Sequence, residues 1–206
     1  MTYILLLAAL QAFFLASLLA AKKRKSTADH VLMIWLAGIG IHTAIYFLHF
    51  QTGGVAPLVL NLNAGFPFLQ GPFLLAYVAA LIGMRDRFRG ADYLHLLPFV
   101  AFIAYLSLVF GAGSFRFAQS EQAMNVSIFA LAPFFTVLLL LSVPVYIAWS
   151  LVLMRNASRV LGAPDLPSGF LWIRACIFGL GLVWLAAMAT FVFGNAGGSP
   201  HQHTVF

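Results

Sequence analysis

The sequence predicts an all-α fold, an integral membrane bundle of six transmembrane helices with the N-terminus and the C-terminus both outside. Of the 206 residues, 63% are hydrophobic and only 8% are charged, whereas a soluble domain is about 45–50% apolar and about 25% charged. Six apolar runs approach the length of about 20 residues that a helix needs to cross a bilayer. Nine of the eleven Lys and Arg residues lie in alternate gaps between these runs.

The six runs predict one transmembrane domain over residues 1–193, followed by an exported flexible tail over 194–206. The helices are expected at about 2–21, 31–50, 67–83, 93–111, 126–153 and 169–193. A secretory signal peptide carries its positive charge ahead of the apolar stretch. Here the charges follow the first run, which is therefore predicted to be an uncleaved helix.

The basic residues predict the orientation, because Lys and Arg in short loops stay in the cytoplasm. Loops 22–30, 84–92 and 154–168 are accordingly expected to be cytoplasmic. The net charge of +6 is divided among short clusters beside the apolar runs, which is typical of contact with anionic lipid and not of a nucleic-acid surface. The residues expected to contact lipid headgroups are Lys22, Lys23, Arg24, Lys25, Arg85, Arg87 and Arg89.

The third apolar run, residues 58–83, is irregular at its start. Proline suits the first turn of a helix, so the helix is expected to begin near Pro67. Residues 55–66 are then expected to form a partly buried, non-helical segment, which must be covered by protein or line a wet cavity. Backbone irregularity also predicts the parts of the chain that move, at Gly65, Pro67, Gly71, Pro72 and, in the fifth run, Pro144.

Polar side chains occupy one face of the second run. His42, Tyr46 and His49 are spaced by four and three residues, so they share a helix face. Ionisable groups inside a membrane usually face the bundle interior and indicate a functional site. With Asn61, Asn63 and Gln70 they are predicted to line a ligand pocket that opens outward. The alternative is that these groups only form hydrogen bonds between helices or belong to the interfacial aromatic belt.

A stripe of small residues in the first run leaves two alternatives open. Ala8, Ala12, Ala16 and Ala20 recur every four residues, and small residues let membrane helices approach closely. The stripe is either a homodimer face or an ordinary contact with a neighbouring helix of the same chain.

Several classes of site are disfavoured by what the apolar runs lack. All lysines lie within residues 22–25, and no Asp or Glu lies deep in a run, so a retinal Schiff base and a proton-pump carboxylate are not expected. The histidines do not lie at matching depths on facing helices, as haem or metal ligation requires. We therefore expect no catalytic residues, no metal and no cofactor.

Two short strings carry a resemblance to a known family. The Gly-Pro string reads GPFLLAYV over residues 71–78, and the His-Pro string reads HLLPF over residues 95–99. Between them lies the basic loop 85–89. This order resembles the N-terminal multi-helix membrane region of bacterial membrane-bound transcriptional regulators with AraC-type helix-turn-helix domains, in which a GP-x-L-x-x-Y-V helix precedes a basic loop and an H-x-x-P-F helix start.

The resemblance implies a sensory or anchoring module in the bacterial inner membrane, crossing it several times and relaying a membrane or extracytoplasmic signal. The residues themselves predict the other partners: membrane lipids at the basic clusters, an unidentified small ligand in the pocket and, if the alanine stripe is a dimer face, a second copy of the chain. DNA would be bound only through a C-terminal domain outside this chain, because no basic recognition helix follows residue 193. The alternative function is a small oligomeric transporter or permease of unknown substrate, with the third run as its substrate site.

Overall fold

The described residues, 2–52, 54–83, 90–110, 132–160 and 168–196 of a computed structural model, are helical apart from short connections. Within these ranges the elements are α1 (Thr2–Ala21), α2 (Thr27–Thr52), α3 (Pro57–Gly65), α4 (Pro67–Leu81), a 3-10 helix (Gly90–Leu96), α5 (Leu97–Phe110), α6 (Ala132–Val160) and α7 (Ser168–Ala196). The all-α prediction is confirmed. The chain divides into two compact units, Met1–Ala157 and Ser158–Phe206, and α7 belongs to the second.

Three of the described helices are long and apolar enough to cross a membrane, namely α1, α2 and the Phe134–Ala157 part of α6. Shorter apolar helices cover Pro67–Leu81, Asp92–Ser107 and Ile173–Ala186. Large apolar side chains of α1 remain exposed, among them Ile4 and Phe14 at 68% and 61%. Such a surface is unfavourable in water and suits contact with lipid. These features suggest a multi-pass membrane protein.

The turn between α1 and α2 is held by a capping box. The Asp29 N–H donates to Ser26 Oγ at 3.1 Å, and the Ser26 N–H donates to Asp29 Oδ2 at 2.7 Å. This reciprocal pair satisfies backbone donors that the first turn of a helix leaves unpaired. The Lys22 ammonium donates to the same Oδ2 at 2.7 Å. Lys22 is therefore paired with Asp29 although its side chain is 52% exposed, and residues 23–25 are exposed as well.

Helix α1 packs along α2 through small residues. Ala12 and Ala16 of the predicted stripe are buried. A Cβ added at Gly40 of α2 would lie 2.9 Å from Phe13 Cε1 of α1, so the two helices meet closely at this glycine. Ala12 and Ala16 thus serve a contact within the chain, the second of the two alternatives, whereas Ala20 is exposed. The homodimer stays a prediction.

The segment before Pro67 is helical from Pro57 to Gly65, so the expectation of non-helical backbone over 55–66 is wrong for these nine residues, whereas residues 55 and 56 are not helical. Helix α3 begins at Pro57, where the ring fixes a helical φ and no intrahelical donor is lost. The interruption between α3 and α4 is limited to Phe66, whose φ of −54° and ψ of −36° are themselves helical. Helix α4 begins at Pro67 as predicted, because proline has no N–H to continue the hydrogen bonds of α3.

The other predicted break residues lie inside or at the ends of helices. Gly65 is the last residue of α3, and Gly71 and Pro72 lie within α4, which continues through them. Pro144 lies within α6 without ending it, as predicted. Helix α4 ends before Gly83, whose φ of 70° is the left-handed conformation that stops helices.

Further boundaries differ from the prediction, among them the start of α2 at Thr27 instead of 31 and the end of α7 at Ala196, inside the tail expected from 194. The helix expected at 93–111 begins as a 3-10 helix and becomes α-helical at Leu97. Helix α6 runs to Val160, seven residues past the predicted end at 153, so the expected loop over 154–168 is helical in its first part. The predicted start of that helix at 126, the loop arginines Arg85, Arg87 and Arg89, and the tail from 197 lie outside the described residues.

Helix α4 is the most buried element of the first unit. Leu74 and Val78 are 1% and 0% exposed. One cluster joins Phe68 to Tyr105 and Phe135, whose rings stack at 4.8 Å. A second cluster joins Tyr77 to the start of α2. Because α4 packs against α2, α5 and α6, a substitution that alters the packing of α4 also alters the packing of these three helices.

Candidate functional site

On the polar face of α2, His42 forms hydrogen bonds with Asn63 of α3. Asn63 Nδ2 donates to the His42 carbonyl at 3.3 Å, and Asn63 Oδ1 lies 2.9 Å from His42 Nδ1. An amide oxygen can only accept, so Nδ1 carries the proton and donates. Asn63 is 4% exposed. The Phe66 ring stacks on the His42 ring with 4.8 Å between their centroids, and the Tyr46 ring meets the His42 ring edge-on with 5.0 Å between theirs.

Gln70 belongs to a different pair. The Trp35 indole N–H donates to Gln70 Oε1 at 2.7 Å, and the Trp35 ring stacks on Phe73 at 6.4 Å. Trp35 precedes His42 by seven residues, about 10 Å along the helix axis. Trp35 was not among the predicted site residues, although the seven-residue spacing of 35, 42 and 49 places all three on one face.

The six predicted pocket residues are therefore only partly brought together. His42, Tyr46 and Asn63 form one contact between α2 and α3. His49 Nδ1 is buried without a hydrogen-bond partner among the described residues. Asn61 lies in α3, and its side chain is outside the described part of the chain. The contacts seen are hydrogen bonds between helices, the alternative left open for this face, and the outward pocket stays a prediction.

A cavity of about 240 Å³ lies at the other end of α2, between α2, α4 and the 3-10 helix. Its walls are mainly apolar, with four polar side chains among them. The lining residues are His30, Val31, Ile34, Pro72, Phe73, Leu75, Ala76, Asp92, Tyr93, His95 and Leu96. Within the described ranges, no three His, Cys, Asp or Glu side chains are grouped so as to hold a metal ion. Of the predicted site residues that the structure describes, only Pro72 lines this cavity.

His95 joins this cavity to α6. His95 Nδ1 and the Tyr146 hydroxyl share a hydrogen bond of 2.9 Å. The His95 ring also meets Trp149 edge-on at 5.5 Å, and Tyr146 stacks on Trp149 at 6.4 Å. A Cβ added at Gly71 would lie 2.7 Å from Tyr146 Cγ. Only glycine therefore lets the Tyr146 side chain lie this close to α4.

The Gly-Pro string and the His-Pro string meet around this tyrosine. Gly71 and His95, the first residues of the two strings, both contact Tyr146, and Pro72 and His95 both line the cavity. Phe99, the last residue of the His-Pro string, packs on Gly65, where an added Cβ would lie 2.9 Å from Phe99 Cε2. Residues far apart in sequence thus form one structural unit, which we call the Tyr146 junction: Gly71, His95, Tyr146 and Trp149.

A scan against protein-family models, a search of curated proteins and a search of solved structures each found no match. The likeness to AraC-type membrane regions rests on the two strings and the basic loop between them.

Proposed function

We propose that this chain is a membrane-embedded sensory or anchoring module, similar to that of membrane-bound AraC-type regulators, that relays a membrane or extracytoplasmic signal. The observation that carries the proposal is the Tyr146 junction beside the cavity. His95 is part of both, so a molecule that fills the cavity acts on the hydrogen bond to Tyr146. Two of the four junction residues, Gly71 and His95, are the first residues of the strings that suggest the family.

The relay would work by a shift between two arrangements of the helices. A ligand changes such an equilibrium only if it binds one arrangement better than the other. Pro144 donates no backbone hydrogen bond and lies two residues before Tyr146 in α6, and helices bend most readily at proline. Displacement of the His95 ring would therefore change the direction of α6 beyond Pro144. Such a change in helix direction requires no catalytic residue.

The membrane placement is part of the proposal: six crossings of the bacterial inner membrane with the N-terminus outside. It is supported by the basic clusters, which favour the cytoplasmic side. In this orientation the cavity lies toward the cytoplasmic leaflet, because its α2 residues follow the 22–25 cluster directly. The position favours a signal that arrives through the membrane.

Single cysteines test this orientation. In a Cys176→Ser background, the cysteine of Gly54→Cys should react with a membrane-impermeant maleimide in intact spheroplasts. Lys25→Cys should react only after permeabilisation, and the Cys176→Ser protein should stay unlabelled. Labelling of Lys25→Cys in intact spheroplasts would contradict the orientation.

A promoter reporter tests the function. The chain would replace the membrane region of a membrane-bound AraC-type regulator that keeps its own last helix and its DNA-binding domain. A hydrogen bond between membrane helices contributes about 0.6 kcal/mol on average, so Tyr146→Phe should change reporter output about threefold. Tyr3→Phe is the matched control, because Tyr3 is 75% exposed. Equal output from Tyr146→Phe and the unmodified chain, at equal expression, would refute the relay.

The alternative, a small oligomeric transporter, predicts solute flux across the membrane of reconstituted vesicles, and this flux would be measured. The largely apolar lining of the cavity offers few polar groups to a water-soluble substrate, and this favours the sensory proposal.

A further inference from the structure

We infer that the cavity between α2, α4 and the 3-10 helix binds a free single-chain amphiphile, with an alkyl chain of about ten carbons and a head that donates hydrogen bonds, such as an alcohol. This inference rests on the proposed function, because it names the ligand class of the same site.

The size of the cavity sets the length of the chain. An apolar cavity of about 150 Å³ holds one benzene molecule, six carbons in all. The cavity here measures about 240 Å³, which by the same proportion holds roughly ten carbons. A two-chain membrane lipid is much larger than this. A single chain of medium length fits.

The residues that line the cavity determine whether it binds such a chain in preference to the lipid tails of the bilayer. Val31, Phe73, Leu75 and Leu96 are among the apolar residues that line the cavity. Lipid tails are as apolar as leucine, so moving an alkyl chain from the bilayer into the cavity gains little hydrophobic free energy. Selectivity must therefore come from the fit of the chain and from the polar groups of the lining.

The polar groups of the lining favour a donating head. The His30 Nδ1–H donates to the Ser26 carbonyl at 2.9 Å, because a carbonyl can only accept. In neutral His30 this leaves Nε2 as an acceptor. Asp92 adds a carboxylate to the lining, and an ionised carboxylate also only accepts. An alcohol head donates to His30 Nε2 and accepts from the hydroxyl of Tyr93, another polar residue of the lining, whereas the carboxylate of a fatty acid cannot donate to His30.

Photolabelling of the full chain in phospholipid nanodiscs tests the inference. The probe is a ten-carbon alcohol with a diazirine near the chain end, and the adducts are mapped by mass spectrometry. They should concentrate on residues 31–34 and 72–76, and excess decanol should reduce them about fivefold or more. Ile34→Trp narrows the cavity at an exposed edge and should reduce labelling about fivefold. Ile41→Trp, two turns along the same helix, should not, since Ile34 and Ile41 are 55% and 54% exposed.

Three results would overturn the inference. The first is labelling spread evenly over exposed helix surfaces, including α1. The second is equal labelling of the cavity by a two-chain phospholipid probe, which would assign it to bilayer lipid. The third is competition by decanoate as strong as that by decanol, which would remove the assignment of the head. Photolabelling does not depend on the promoter reporter, so the two proposals can fail separately. Saturable labelling of the cavity, with no effect of Tyr146→Phe on reporter output, would contradict the relay but not the ligand class.

Discussion

Gly71→Ala is expected to destabilise the packing of α4 against α6. A Cβ at this position would lie 2.7 Å from Tyr146 Cγ and 3.0 Å from Tyr146 Cβ. Carbon atoms in contact are most stable about 3.5–4.0 Å apart. These atoms belong to the base of the tyrosine side chain, so rotation of the ring alone does not relieve the overlap. One of the two helices has to move.

The magnitude follows from two opposing terms. Forcing an extra methyl group into packed side chains costs about 1–3 kcal/mol. Replacing glycine with alanine inside a helix gains about 1 kcal/mol. This gain is smaller at position 71, because Pro72 follows and a Cβ before proline disfavours the helical conformation. The net loss should be about 1–2 kcal/mol in the free energy of unfolding.

The assay is reversible unfolding in mixed micelles of mild detergent and dodecyl sulfate, followed by circular dichroism. In a Tyr146→Ala background the overlap is gone and only the helix gain remains, so Gly71→Ala should be neutral or slightly stabilising, which gives a coupling of about 2 kcal/mol. Gly38→Ala is the comparison, because its added Cβ would meet the far edge of the Phe66 ring, at 2.8 Å from Cε2, and that ring can turn. If Gly71→Ala is as destabilising without Tyr146 as with it, the close contact does not explain the glycine.

Other substitutions test the hydrogen bonds, with the same unfolding assay. Asn63→Leu leaves His42 without its acceptor and should cost about 0.6–1.7 kcal/mol; no loss would show that the pair is replaceable. Ser26→Ala removes the cap of α2 and should cost about 1 kcal/mol, with faster hydrogen exchange over residues 27–30. Lys22→Met should change stability by less than about 1 kcal/mol, because the Lys22 side chain is 52% exposed; a larger loss would show that its bond to Asp29 is a main support of the turn.

The helix ends that the sequence predicted well are those marked by a strong local signal. Helix α1 occupies residues 2–21 as expected, since an apolar run is followed there by the basic cluster. The start of α4 follows from Pro67. Helix α3 was missed although Pro57 offers the same signal. Its asparagines and glycine have low helix propensity, and the bond between Asn63 and His42 compensates for this in the folded chain.

The Tyr146 junction could not be predicted from the sequence. Tyr146 lies 51 residues after His95, and α6 is apolar on most faces. Ser142, Tyr146 and Ser150 recur every four residues in α6, but this spacing shows only that they share a helix face and not which neighbour the face meets. The polar face of α2 could be recognised because its few polar residues are spaced as on one helix face. The hydrogen-bond partners of these polar residues depend on tertiary packing, so only the structure identifies them.

The relay is tested most directly at Tyr146 itself. The chain would carry 3-fluorotyrosine at position 146 in nanodiscs, and its fluorine NMR signal would be followed as decanol is added. The signal should shift or split as the hydrogen bond to His95 changes, and in Ile34→Trp it should not respond. Saturable binding of decanol with an unchanged signal at position 146 would contradict the coupling of the cavity to α6.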